Sequence, residues 1–330
     1  MRNRFLRGGL SGLLLAGLSL SCVFAKTKEK KPVFKEQYLQ VSGLRMHCMT
    51  AGKGPLILFL HGFPEFWYEW KNQLAEFSKD HLVVAPDMRG YNLSDKPDSE
   101  EQYRMGYLVD DVLNLADHYS HGKKFVLVAH DWGGAVAWAF AIAHPDRLDK
   151  LVIVNAPHPG VFARLLASDA KQQQASQYML MFRGAQAEQT LSADNYTPLV
   201  NGVLGAGLKS GVFTEEDKQE YIKAWSQPGA LTGGLNYYRA NRAGPPSPGQ
   251  SDDQKGSSSG SFGAVTSSLT VKVPTLVIWG EKDTALLTGN LDGLDQFVPQ
   301  LTIKRIPEGT HWVIHEKPAE VNGYIREFIR

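Results

Sequence analysis

Cysteine and excess charge are the two things this sequence has little of. The 330 residues include two cysteines, too few for a disulfide framework or a paired-cysteine metal site. Lys and Arg total 35 against 34 Asp and Glu, so the net charge is +1. The strongly basic surface of a nucleic-acid-binding protein is therefore not expected. With 43% hydrophobic residues, the chain has enough apolar material for a large core, which excludes intrinsic disorder.

The first residues follow the pattern of an export signal. A start rich in arginine precedes the uncharged residues 8–25, and several lysines follow them. This order predicts a signal peptide over residues 1–25 and hence an exported protein, periplasmic or secreted. An uncleaved membrane anchor is the main alternative, and a lipoprotein signal at Cys22 fits the flanking residues less well. Membrane contact is expected only through residues 8–25.

Short apolar runs alternate with helical patterns along most of the chain. Runs that are apolar on both faces are typical of parallel strands covered by helices on each side. The alternation predicts an α/β fold with a mostly parallel central sheet. The predicted strands are residues 56–60, 82–85, 125–129, 151–155, 275–279 and 301–306, and the predicted helices lie near residues 67–78, 105–120, 132–144 and 317–329.

This alternation is interrupted in the middle of the chain. Residues 157–272 contain helical patterns near residues 161–183 and 214–225, and they contain no strand pattern. A segment of this length is too long for a loop, so we expect a helical cap inserted into the α/β domain. The core would then consist of residues 26–156 and 273–330. Within the cap, the Gly- and Ser-rich stretch 244–264 is of low complexity.

The chemistry is indicated by a strand, a tight turn and a helix around Asp131. The turn runs from Ala129 to Gly133, and its small residues allow the strand and the helix to approach closely. This is the pattern of a nucleophile elbow, in which the central side chain is exposed above the carboxyl end of a strand. A helix N-cap role for Asp131 is the simpler alternative, but it does not account for the surrounding residues.

A carboxylate at this position favours attack on an alkyl carbon. An ionised Asp131 needs no base in order to attack, unlike a serine. Attack on an acyl carbon would produce a reactive anhydride, whereas attack on an alkyl carbon produces an ordinary ester. The expected electrophile is therefore a strained or activated carbon bonded to oxygen or halogen. The ester must then be hydrolysed, which requires a base.

A candidate acid and a candidate base follow Asp131 along the chain, in the order nucleophile, acid, base. Asp283 comes just after a predicted strand, and His311 lies in the loop after the last strand. We expect Asp283 to orient His311 and His311 to activate water. A metal pair of His311 with His315 is disfavoured because no HExxH-type glutamate lies between them. No metal and no cofactor are predicted.

The loop at residues 61–64, sequence HGFP, follows the first predicted parallel strand. A backbone N–H group here, with that of Trp132, would form an oxyanion hole. The residue that we expect to donate is Phe63. The proline after it is expected to set the turn, and the cis form is one option.

Taken together, these segments resemble the epoxide hydrolases of the α/β-hydrolase fold. The resemblance spans about residues 35–330 and rests on six segments: 61–70, 85–97, 128–138, 155–159, 279–283 and 308–312. It implies an α/β-hydrolase fold with an inserted cap and a reaction that converts an epoxide to a vicinal diol. The segments around Tyr178 and Tyr238 are similar to the cap motifs whose tyrosines bind the epoxide oxygen and act as acids. Tyr237 is the alternative at the second position.

The resemblance implies the substrate contacts as well. A small apolar epoxide would be bound by four residues: Phe63, Trp132, Tyr178 and Tyr238. Two other functions stay open at this point. A haloalkane dehalogenase would use the same Asp, His and acid, with Trp132 and a cap residue such as Trp225 binding the halide. A non-catalytic binding protein on the same fold is the third possibility.

Overall fold

The computed structural model describes residues 33–246 and 268–330 of the chain. The predicted signal or anchor at residues 1–25 lies outside this part, and so does most of the low-complexity stretch 244–264. Among the described residues, no helix combines the length and the hydropathy needed to cross a membrane.

A sheet forms the centre of the fold. Its strands are β1 (Lys35–Val41), β2 (Leu44–Gly52), β3 (Leu56–Leu60), β4 (Leu82–Pro86), β5 (Phe125–His130), β6 (Leu148–Val154), β7 (Thr275–Gly280) and β8 (Leu301–Ile306). In the described part of the chain they follow the order β1-β2-β4-β3-β5-β6-β7-β8. The strands from β3 onwards are parallel, whereas β1 and β2 pair antiparallel at one edge. The predicted α/β class with a mostly parallel sheet is confirmed.

The antiparallel edge is where the sequence prediction fell short. The first strand that the sequence predicts is residues 56–60, so β1 and β2 are absent from the prediction. Most residues of β1 are exposed, because this strand has a neighbour on one side only. An exposed edge strand lacks the continuous apolar run by which the inner strands were identified.

Helices cover both faces of the sheet. Along β3, Leu58 and Leu60 pack into the same cluster as α2 and α3, whereas Ile57 and Phe59 pack with α1 and α12. Each of these buried side chains contributes about 2 kcal/mol through removal of apolar surface from water. The helices are α1 (Lys71–Phe77), α2 (Met105–Ser120), α3 (Asp131–Ala143), α4 (Pro159–Ser168), α5 (Ala170–Ala175), α6 (Tyr178–Arg183), α7 (Ala187–Leu199), α8 (Gly205–Ser210), α9 (Glu215–Trp225), α10 (Ala230–Ala240), α11 (Val313–Glu316) and α12 (Pro318–Ile329), with a π-helical turn at Val200–Leu204.

In its described residues, the segment between β6 and β7 contains helices joined by turns and irregular stretches, and it contains no strand. Helices α4 to α6 cover the predicted helical pattern at 161–183, and α9 coincides with the pattern at 214–225. The sequence analysis missed α10, which contains two adjacent glycines and buries most of its residues. Glycine lowers intrinsic helix propensity, so α10 depends on packing rather than on local preference. The division into core and cap at residues 157–272 stays a prediction.

Candidate active site

The elbow between β5 and α3 presents Asp131. Asp131 has φ +48, a left-handed conformation that non-glycine residues adopt at a cost of about 1–3 kcal/mol. The chain can make this turn because Gly133 passes close to β3. A Cβ atom at Gly133 would lie 2.3 Å from the carbonyl oxygen of Leu60, so no other residue fits there without movement. The geometry is that of a strand-to-helix turn with an exposed central side chain.

The two oxygens of Asp131 have different surroundings. Oδ1 accepts a hydrogen bond from the backbone N–H of Phe63 at 2.8 Å. Oδ2 faces Nε2 of His311 at 3.7 Å. Gly62 makes this arrangement possible, since a Cβ atom there would lie 2.4 Å from the Asp131 carboxylate. The peptide bond between Phe63 and Pro64 is cis. Oδ2 is therefore the oxygen that faces the histidine, and Oδ1 lies against an N–H donor.

Phe63 is thus placed next to Asp131 as an N–H donor. Trp132, the other residue predicted for the oxyanion hole, follows Asp131 in the first turn of α3. Its indole ring packs edge-on against the ring of Tyr238, with centroids 5.1 Å apart. Both residues lie beside the nucleophile, and their part in an oxyanion hole stays a prediction.

His311 and Asp283 form a hydrogen-bonded pair. Nδ1 of His311 lies 2.8 Å from Oδ2 of Asp283. The other oxygen of Asp283 accepts from the backbone N–H groups of Ala285 and Leu286, each at 2.9 Å. The side chain of Asn155 donates to Oδ2 at 2.8 Å. Asp283 is therefore held by several donors, as expected of a carboxylate that orients a histidine.

The charges of His311 and Asp283 stabilise each other. Burial alone would lower the pKa of His311, but the adjacent Asp283 and the charge of Asp131 outweigh it and raise this pKa to about 9. Burial opposes ionisation of Asp283, yet His311 and the hydrogen bonds lower the pKa of Asp283 below its usual value. At neutral pH His311 is therefore an imidazolium in the resting site, with Nδ1 on Asp283 and Nε2 facing Asp131.

The two predicted cap tyrosines share a cavity with Asp131 and His311. Tyr178 begins α6 and Tyr238 lies in α10, with ring centroids 6.4 Å apart. Both line a cavity of about 440 Å³ together with Asp131 and His311. Burial, and then the negative charge of Asp131, raise the pKa of each phenol well above its ordinary value. Both hydroxyl groups are therefore neutral at neutral pH and available as proton donors.

Tyr237, the alternative for the second position, is directed elsewhere. Its hydroxyl group donates to the backbone carbonyl of Arg89 at 3.0 Å. Its neighbour Tyr238 lines the cavity instead. The geometry therefore favours Tyr238 over Tyr237.

The walls around Asp131 are apolar and unequal in size. The cavity of about 440 Å³ is bounded by side chains such as Phe182, Leu191 and Leu199. A smaller cavity of about 40 Å³, which Asp131 also lines, is bounded by Phe162 and Met179, among others. Across residues 33–246 and 268–330, no cluster of three or more His, Cys, Asp and Glu side chains is arranged to hold a metal ion.

Known proteins are similar to this chain in fold and in sequence. The family described as alpha/beta hydrolase fold matches residues 55–318. The chain is 37% identical to the AB hydrolase superfamily protein YfhM of Bacillus subtilis, over 90% of this chain and 98% of that protein. It is 35% identical to Epoxide hydrolase 4 of Mus musculus, over 88% of this chain and 77% of that protein. A crystal structure of a Bacillus megaterium epoxide hydrolase with an inhibitor matches with TM-score 0.82 and 36% identity, covering 89% of this chain and 99% of that chain.

The chain belongs to the epoxide hydrolases of the α/β-hydrolase fold. In this epoxide hydrolase, the sequence analysis found the elbow, the histidine and both cap motifs, but it missed the polar residues that support them. Asn155 begins the similar segment 155–159, and the sequence pattern assigns it no role. It is fully buried, and besides Asp283 it binds the backbone of Gly280 at the end of β7. The available signal was a polar residue directly after an apolar strand, at the same sheet edge as Asp131.

Two glutamates of the loop after β3 were missed in the same way. Glu65 and Glu69 are almost completely inaccessible to solvent. Glu65 accepts from the hydroxyl group of Tyr221 in the cap helix α9 and lies 3.1 Å from His315. Glu69 accepts from the backbone N–H of Gly62 at 3.2 Å. Acidic residues inside an aromatic-rich segment were the sequence signal.

Proposed function

We propose that this protein hydrolyses epoxides to vicinal diols through an ester formed on Asp131. The observation that carries the proposal is the shared cavity. Two neutral phenols, Tyr178 and Tyr238, line the same cavity as Asp131 and His311. An epoxide there would meet a nucleophile on its carbon and proton donors on its oxygen, which is the combination that ring opening requires.

In the first step, Oδ2 of Asp131 attacks a ring carbon. The bond between that carbon and the epoxide oxygen breaks, and the oxygen takes a proton from Tyr178 or Tyr238. The products are an alkyl ester, a free hydroxyl group and a phenolate. Oδ1 becomes the ester carbonyl oxygen, and it already accepts a hydrogen bond from Phe63.

In the second step, water attacks Cγ of Asp131. Formation of the ester removes one of the charges that keep the pKa of His311 high, so the imidazolium gives up its proton to the phenolate left by ring opening. His311 is then neutral and able to act as a base. It takes a proton from the water, and the N–H of Phe63 stabilises the oxyanion at Oδ1, a contribution of about 3 kcal/mol in comparable sites. Collapse releases the diol as the new carboxyl group gives its proton to the departing alkoxide, and His311 keeps the proton taken from water, which restores the resting imidazolium.

The unequal cavities favour an epoxide with a single large substituent. The space of about 440 Å³ fits an aryl or long alkyl group, whereas the space of about 40 Å³ fits little more than hydrogen or methyl. A variant of the Bacillus megaterium enzyme was crystallised with the product (R)-3-[1]naphthyloxy-propane-1,2-diol, which has a single large aromatic substituent. We therefore expect monosubstituted aryl or alkyl epoxides as substrates.

Product analysis tests both parts of this proposal. The purified protein is offered an aryl glycidyl ether, an epoxide with aryl groups on both carbons, and a bromoalkane, with the Asp131→Ala variant as control. We expect diol from the glycidyl ether, much less from the disubstituted epoxide, and none in the variant. Equal turnover of both epoxides would contradict the size argument, and absence of diol from both would contradict the proposed reaction.

Bromide release without diol would instead support a haloalkane dehalogenase. The position of Trp225, the residue considered for the halide site, does not favour a dehalogenase. The indole N–H of Trp225 donates to the backbone carbonyl of Pro64 at 2.6 Å. Binding a halide would require this hydrogen bond to break. The tyrosine pair has a direct use in epoxide opening and none in halide release.

Export through residues 1–25 is a separate proposal that rests on the sequence pattern. Mass spectrometry of the protein from its host checks it. A mature chain that begins at residue 26 is expected, and an intact N-terminus in a membrane fraction would support the anchor instead.

A further inference from the structure

Glu65 and Glu69 lie four residues apart, and the proposed reaction uses neither of them. Their surroundings differ. Glu65 has a histidine on one oxygen and a tyrosine hydroxyl group on the other. Glu69 accepts from the N–H of Gly62 with Oε2, and its Oε1 is in contact with Nδ1 of His130. Neither Oε1 of Glu69 nor Nδ1 of His130 has a hydrogen bond to any other group in the described part of the chain.

The other nitrogen of His130 determines where its hydrogen lies. Nε2 is 3.0 Å from the backbone carbonyl oxygen of His311. A carbonyl oxygen can only accept, so Nε2 must carry the hydrogen. A neutral imidazole has a single N–H, and its Nδ1 is then an acceptor. The group that faces Nδ1 must in that case supply a proton, and that group is Glu69.

The surrounding charges favour neutral forms of both groups. Burial, followed by the charge of His311, lowers the pKa of His130 to about 3. Burial, followed by the charge of Glu65, raises the pKa of Glu69 well above its usual value, and Asp131 acts in the same direction against the opposing effect of His315. For Glu65, burial is outweighed by His315 and Tyr221, and its pKa is lowered.

We propose that Glu69 is a neutral carboxylic acid that positions the catalytic base. Its hydroxyl group donates to Nδ1 of His130, and Nε2–H of His130 in turn donates to the backbone carbonyl of His311. The chain of contacts therefore fixes the loop that carries the base. Because Glu69 is uncharged, it does so without adding a negative charge beside Asp131.

Infrared spectroscopy tests the protonation state without any substrate. In the difference between the wild type and Glu69→Gln at neutral pH, we expect the carbonyl stretch of a protonated carboxylic acid. Glu65→Gln is the matched control, since Glu65 is equally buried and its difference spectrum should show an ionised carboxylate. A carboxylate signal for Glu69 would overturn the proposal, and so would an imidazolium at His130 in nitrogen-15 spectra.

Single-turnover kinetics test the positioning role, and this part rests on the proposed function. Glutamine at residue 69 can still donate an N–H to His130, whereas leucine cannot. We expect Glu69→Leu to slow ester hydrolysis by up to about 10²-fold, as for a displaced catalytic group, with a smaller effect on ring opening. Glu69→Gln should restore most of the rate and leave the pH profile of hydrolysis unchanged.

Equal impairment of the glutamine and leucine variants would overturn the positioning role, because it would mean that the charge of Glu69 matters rather than its donated hydrogen. A downward shift of the pH profile in Glu69→Gln would have the same meaning. If the wild type opened no epoxide at all, the proposed function would fail, while the infrared result would still decide the protonation of Glu69.

Discussion

The two halves of the site are built in different ways. The core half consists of Asp131, Asp283 and His311, which follow the carboxyl ends of β5, β7 and β8 and carry charge. The cap half consists of Tyr178 and Tyr238, which lie on helices and are neutral. Charged groups need fixed donors, and the strand ends supply backbone N–H groups such as those of Phe63 and Leu286. Neutral phenols need only a dry cavity, so packed helices can supply them.

Removal of the nucleophile is expected to have the largest effect. Asp131→Ala should reduce diol formation by on the order of 10⁶-fold, as in other enzymes that lose their nucleophile. The cap half alone would then contribute no measurable turnover. Diol assays with a glycidyl ether check this, with a circular dichroism spectrum to show that the variant is folded. Substantial residual activity would mean that water, rather than Asp131, attacks the epoxide.

Replacement of the base should separate the two steps. His311→Gln is expected to open the epoxide once and then stop, with steady-state turnover reduced by about 10⁴-fold or more. The ester should be visible in the intact mass as the protein plus one substrate. If no adduct accumulates although the epoxide is consumed, the assignment of His311 to ester hydrolysis is wrong.

Loss of the cap hydroxyl groups should affect ring opening in particular. Tyr178→Phe and Tyr238→Phe should each slow this step by about 10²–10⁴-fold, the range for general acid catalysis. Tyr237→Phe serves as the control, because its hydroxyl group binds a backbone carbonyl outside the cavity. Rapid-mixing measurements of ester formation report the step directly. A larger loss in the Tyr237 variant than in the Tyr238 variant would reverse the assignment.

The charges of the core half predict a pH dependence. His311 in the resting enzyme should titrate with a pKa of about 9, and in Asp131→Asn this pKa should fall because an opposing charge is lost. Since the folded-state pKa is raised, the stability from the His311 interaction is present at neutral pH and declines as the pH rises through about 9. NMR titration of the His311 ring in the wild type and in Asp131→Asn measures the two pKa values. An unchanged pKa in the variant would show that Asp131 and His311 are not coupled.

The smallest effect is expected outside both halves, at the contact between α9 and the loop after β3. Trp225→Phe removes the N–H that donates to the carbonyl of Pro64. The variant should be destabilised by about 1–3 kcal/mol, the cost of leaving a buried acceptor without a partner. Diol formation should change little, since Trp225 does not bind the epoxide in the proposed reaction. Thermal unfolding and diol assays together check this, and bromide release lost in the variant would favour the dehalogenase alternative.

The sequence by itself determined the inner strands, the elbow and the chemical identity of the core half. Apolar runs on both faces identify parallel strands, and the chain order of Asp131, Asp283 and His311 places all of them at one sheet edge. These features are local or follow from topology. The edge strand β1 was not predictable in this way, because an exposed strand has no continuous apolar run. In β2, which is mostly buried, polar residues such as His47 and Thr50 interrupt the run.

Only the tertiary structure decided between Tyr237 and Tyr238. Adjacent residues on a helix point about 100° apart, so the way α10 packs on the core determines which of them reaches the cavity. The same holds for Asn155 and Glu69, whose partners lie 128 residues away at Asp283 and 61 residues away at His130. Local patterns identify groups that can react, whereas the positions of the groups that hold them depend on how distant segments pack.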